Sequence, residues 1–107
     1  SYEWVKVPVG VAYGSNVEEV RQMLIKAVNN LEEKAPDSRD VIDLARPVSV
    51  VFDDFGDNSV NLFVTYWVLV DYKFCKTGQV KEAIYNTLNE HNIEIPFPQR
   101  DLHIISQ

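Results

Sequence analysis

The chain has 107 residues, 46% of them apolar and 24% charged, enough for one hydrophobic core without disulfides or a structural metal. Ten basic residues against sixteen acidic ones give a net charge of -6, which repels nucleic-acid phosphates and anionic lipid headgroups and places both low among expected partners. The lone Cys75 excludes an internal disulfide and a thiolate metal cluster, in keeping with a reducing compartment.

No stretch reaches the ~20 apolar residues that cross a bilayer, and the N-terminus lacks the basic-then-apolar order of a signal peptide. Ser1 stands where an initiator methionine would, so further protein is expected upstream. Residues 1–107 read as one domain.

Apolar side chains at Val5, Val7, Val9, Val11 and Tyr13 alternate with a period of two, which predicts a first strand with one buried face. Pro8 removes a ladder donor, so the paired part is expected to begin near Val9 or to bulge there. Ser15-Asn16-Val17-Glu18 has capping-box spacing with Ser15 as the cap. Val17, Val20, Leu24, Ala27, Val28 and Leu31 then recur at threes and fours, predicting a helix to about Glu33 whose stripe packs on a sheet. Between Ala35 and Pro47, Asp37 and Ser38 can cap a short helical turn carrying Val41, Ile42 and Leu44.

Val48 to Phe55 is β-branched and apolar, Gly56-Asp57-Asn58-Ser59 is turn chemistry, and Val60 to Tyr72 reads as a long returning strand. Val60, Leu62, Val64, Tyr66, Val68 and Val70 line one of its faces, while Asn61, Phe63, Thr65, Trp67, Leu69 and Asp71 line a mixed one. Val80, Ala83, Ile84 and Leu88 mark a second helix from near Thr77, closed around Asn92 by a left-handed cap. In Ile93-Glu94-Ile95-Pro96-Phe97-Pro98 the two prolines remove donors on the same side. That predicts an edge strand that pairs only inward, with Ile95 and Phe97 on the core face. The order β-α-β-β-α-β is the ferredoxin-like α+β pattern: one antiparallel sheet with two helices on one face.

Chemistry-bearing residues are sparse. His91 falls at the end of the second helix, where capping or plain exposure suits it, and His103 alternates in the terminal segment; the two make no ligand pair. Asp53, Asp54 and Asp57 gather at the hairpin but lack the register and distal Glu of a calcium loop, so a solvated turn is the simpler reading. Cys75, between Lys73 and Lys76, has no companion cysteine for redox or metal transfer. No catalytic residue, cofactor site or metal site is therefore expected. Phe63 and Trp67 on the open face could stack RNA bases, yet the acidic balance and the missing basic, glycine-rich aromatic motif argue against it. Phe63, Trp67 and Leu69 are instead candidates for contact with a neighbouring subunit or domain, with cover by a loop as the plain alternative.

Three stretches carry a family resemblance: Val9-Gly10-Val11-Ala12-Tyr13-Gly14-Ser15, Phe55-Gly56-Asp57-Asn58-Ser59-Val60, and Ile93-Glu94-Ile95-Pro96-Phe97-Pro98-Gln99-Arg100. Together they resemble the C-terminal α/β domain of the MscS family of small-conductance mechanosensitive channels, in order and spacing from about Val7 to Ile104. Asn16 replaces the usual Asp and Asn92 the usual Gly, both keeping the cap chemistry. The resemblance implies a homo-oligomer, typically a heptamer, whose cytoplasmic domains form a cage under a pore that opens on osmotic downshock. It implies no catalysis and no cofactor, with ions and small solutes passing the cage at the inner face of the cell membrane. A rival from another class is a ferredoxin-like regulatory module that binds a small molecule between two copies.

Overall fold

The computed structural model describes residues 1–96. Its elements are strand β1 (Tyr2–Val11), helix α1 (Val17–Asn29), strands β2 (Ser49–Phe55) and β3 (Val60–Leu69), a short 3-10 turn at Val70–Tyr72, and helix α2 (Lys73–Glu90). The sheet is antiparallel with order β1-β3-β2. This is the α+β class expected, with three strands among the described residues.

β3 is central because its even-numbered side chains make a continuous apolar face. Val60, Leu62, Val64, Tyr66 and Val68 are all buried, and register places them beside Val11, Val9, Val7, Val5 and Glu3 of β1. Val20, Leu24 and Val28 of α1 and Val80, Ile84 and Leu88 of α2 close over that face. Each of these apolar groups, taken out of water, contributes on the order of 1.5–3 kcal/mol to the core.

The ladder runs through Pro8, paired with Phe63, without a register shift. Among the described strands β1 pairs on one side only, and a missing N–H on the other side costs no bond to them, so neither the delayed start nor the bulge is seen. Among the described strands the register shift lies instead in β2, between Phe52 and Asp54.

The cap of α1 is Asn16, whose side-chain oxygen accepts the Glu19 amide at 3.0 Å. Ser15 donates its hydroxyl to the Ala12 carbonyl at 2.7 Å, so the cap lies one residue later than the capping-box spacing suggests. α1 also ends earlier, at Asn29, leaving Leu31 partly buried against the core.

Residues 35–47 hold no helix. Ile42 bridges Val68 in antiparallel fashion, the Leu69 amide donates to Val41 at 2.9 Å, and the Asp43 amide donates to Trp67 at 2.9 Å. The segment thus continues the β2 side of the sheet past the point where β2 leaves off. Val41 and Ile42 are buried as core residues. The helical reading fails because two adjacent β-branched residues favour extended backbone, and the open flank of β3 supplies the partners.

β3 ends at Leu69, not Tyr72, and α2 starts at Lys73, four residues before Thr77. The C-terminus of α2 matches the sequence reading. Asn92 has φ 58°, its amide bonds the Asn89 carbonyl, and the Ile93 amide reaches back to Leu88 at 2.9 Å, which is a Schellman closure.

Ile93 to Pro96 form no strand. The Glu94 carbonyl does accept the Ala12 amide at 3.0 Å, so this stretch runs beside the end of β1. Ile95 is 40% exposed, on the rim of a groove between β1 and α2, and not on the core face. Phe97 and Pro98, and with them the rest of the expected edge strand, lie outside the described residues, as does His103.

Candidate functional site

The face of the sheet turned away from the helices is the most distinctive surface. Register brings Trp4 beside Trp67, Lys6 beside Thr65 and Pro8 beside Phe63, with Val51 of β2 on the far side of Phe63. Trp4 and Val51 are exposed, and Phe63 and Trp67 are half-buried.

Two cations cover part of it. The Lys6 ammonium sits 4.2 Å from the centre of the Phe63 ring, and the Arg46 guanidinium lies 4.1 Å from that of Trp67 and 5.4 Å from that of Tyr2. Arg46 is aimed by Asp43, whose carboxylate accepts its Nε at 2.8 Å and the Ala45 amide at 3.0 Å. The hydrogen bond from Arg46 holds the Asp43 carboxyl below its ordinary range. Ser49 and Thr65 share a hydrogen bond on the same face.

Of the three candidate contact residues, Phe63 and Trp67 share this face. Leu69 does not offer surface: it is 3% exposed, closed in at the end of β3 where the chain turns toward α2. Trp4 belongs to the face and was missed. The signal was present, since a period-two reading extended back from Val5 puts Trp4, Lys6 and Pro8 opposite the core positions.

The chemistry-bearing residues are scattered. His91 is exposed and its Nδ1 lies 2.8 Å from the Thr87 carbonyl, a local contact at the helix end. Asp53, Asp54 and Asp57 are exposed, with Asp54 accepting the Asn61 amide at 3.0 Å. Cys75 is exposed on the first turns of α2. Among the described residues no group of three His, Cys, Asp or Glu side chains is placed to hold a metal ion. No described helix is long and apolar enough to cross a membrane.

A second open feature lies where β3 gives way to α2. Val70, Phe74, Cys75 and Gly78, with Lys73 and Lys81, line a groove of about 610 Å3.

These features define a small α+β domain whose distinctive parts are surfaces, not a cluster of reactive groups. The profile of the family described as "Mechanosensitive ion channel MscS, C-terminal" matches residues 5–95. The chain belongs to that family. It is 35% identical over 101 residues to an uncharacterized MscS family protein of Synechocystis, and 32% identical over 106 residues to a small-conductance mechanosensitive channel of Helicobacter pylori. Those alignments cover 94% and 98% of this chain but 31% and 35% of the relatives, so the chain spans about a third of the length of the relatives it matches. A crystal structure of Helicobacter pylori MscS in its closed state superposes with a TM-score of 0.74 at 26% identity, covering 91% of this chain and 36% of that one. The family is one of channels and not of enzymes.

Proposed function

We propose that this domain is a wall segment of the cytoplasmic cage of an MscS-type mechanosensitive channel, a homo-oligomer that relieves osmotic downshock. The match to the family's C-terminal domain across residues 5–95 carries the reading. A heptamer is the state we assign, on the strength of the family resemblance alone.

Two physical features support it. A wall built from repeated copies needs lateral surfaces, and the open aromatic face around Trp4, Phe63 and Trp67 supplies one, with Leu69 buried behind it as core. Phe63 and Trp67 are the residues we assign to contact with a neighbouring subunit or domain. A wall carrying -6 per copy also raises cation concentration at openings between subunits and lowers that of anions before either reaches the pore.

The test is survival. The full-length protein, expressed in bacteria stripped of their own mechanosensitive channels, should protect cells moved from concentrated salt to dilute medium. Normal membrane expression without protection would overturn the proposal.

A further inference from the structure

The hairpin between β2 and β3 ends in an exposed aromatic pair, Phe52 and Phe55, packed edge to face with ring centres 5.2 Å apart. Phe55 is 75% exposed. Asp53, Asp54 and Asp57 surround the pair and are exposed as well. An apolar wedge ringed by carboxylates fits a site of opposite make: an apolar hollow rimmed by cations.

Such a hollow exists at the other end of the same strand. The groove at the start of α2 is apolar along Val70, Phe74 and Gly78, its charged lining is Lys73 and Lys81, and among the described residues no carboxylate lines it. Phe74 is 92% exposed. The first turn of α2 carries no acidic side chain and its cap residue makes no side-chain hydrogen bond, so the positive end of the helix adds to the two lysines. Glu3 engages Lys73 at 2.8 Å, Asp71 lies in the 3-10 turn and Glu82 follows Lys81. Among the described residues Lys81 has no ion-pair partner, so it and the helix end are open to an incoming carboxylate.

The wedge cannot fill the groove of its own chain. The tip precedes Val60 and the groove begins at Val70, so the whole of β3, roughly 30 Å of extended strand, separates them. We infer that the β2–β3 hairpin tip of one copy seats in the α2 groove of the next. A contact between two different patches on identical chains is heterologous, the kind that builds a ring when the rotation between successive copies closes. Copies that each carry -6 repel at long range, and pairing of the tip carboxylates with Lys81 and the helix end offsets that repulsion locally. The inference rests on the homo-oligomer proposed above and assigns a contact within it.

The chain supplies its own probe, because Cys75 is its single cysteine and lines the groove. In the full-length protein in membranes, with any cysteine outside these 107 residues replaced by serine, Asp57→Cys should give, under copper-phenanthroline oxidation, a ladder of cross-linked multimers whose disulfide maps by mass spectrometry to positions 57 and 75. Asp57→Cys with Cys75→Ser, and the unaltered chain, should give no such ladder. Adding Phe55→Asp to the cross-linking variant should lower the product about tenfold or more, as for loss of a buried aromatic anchor. Native mass of the same samples separates the two levels of failure. Multimers of normal size without a 57–75 disulfide overturn the tip-to-groove contact alone, and a monomer overturns the homo-oligomer too.

Discussion

The Lys76 ammonium, on a side chain only 4% exposed, bonds Glu33 Oε1 at 2.7 Å, while Glu33 itself is 44% exposed. The pair joins the chain beyond α1 to α2, with Gln79 Oε1 as a second acceptor at 3.1 Å. Its two halves differ in access to water, so their removal has different consequences. Lys76→Met leaves Glu33 free to rehydrate and should cost under about 1 kcal/mol. Glu33→Ala leaves a buried ammonium with only Gln79 and should cost about 2 kcal/mol. Urea unfolding of the two variants checks the order, and equal losses would contradict it.

Tyr66 is fully buried in the core with its hydroxyl 3.0 Å from Thr77 Oγ1. Burial raises the phenol above its ordinary value of 10.0, opposed by the Thr77 hydrogen bond and the Lys73 charge. The folded state holds the proton after the unfolded state has released it. Stability from this site is therefore complete below about pH 10 and declines as pH climbs from there through the raised folded value. Tyr66→Phe should cost about 1 kcal/mol at neutral pH and make the alkaline decline shallower. Unfolding curves for both proteins between neutral and alkaline pH check this; parallel slopes would count against it.

Ile42→Ala should destabilise by about 2–4 kcal/mol although no helix or strand contains Ile42, because it is 2% exposed in the core. Leu44→Ala, at a partly buried position, should cost less. The amides of Asp43 and Leu69, both bonded across the 41–43 bridge, should exchange slowly with solvent. Fast exchange at both would return the segment to an ordinary surface loop.

Arg46→Ala should cost about 1 kcal/mol by uncovering Trp67, and Arg46→Lys should recover only part of it. The planar guanidinium stacks on the ring, whereas an ammonium meets it as a point charge. Thermal unfolding of the three proteins gives the ranking, and a lysine variant indistinguishable from the parent would show that charge alone suffices.

Legibility in the sequence tracked how local each determinant was. Alternation from Val5 to Val11 and from Val60 to Val68, and the stripe through Val20, Leu24 and Val28, are periodic signals that need no partner, and they located the core and its helices. Residues 41–43 could not be read this way. Their conformation depends on the unoccupied flank of β3 beyond Thr65, a fact of topology. The early start of α2 was hidden because Lys73 to Lys76 carry no apolar stripe of their own. Lys76 is buried through the Glu33 ion pair, which pattern reading scores as surface. Phe63 and Trp67 were visible on the open face. Leu69 was read onto the same face by parity alone, whereas the turn into α2 buries it.

The most direct measurement is the native mass of the full-length protein extracted from membranes, alone and with Phe63→Glu and Trp67→Glu on the open face. The parent should run as a closed ring of identical subunits, a heptamer, and the double variant should lose or disorder that ring. A parent protein that runs as a monomer would contradict it.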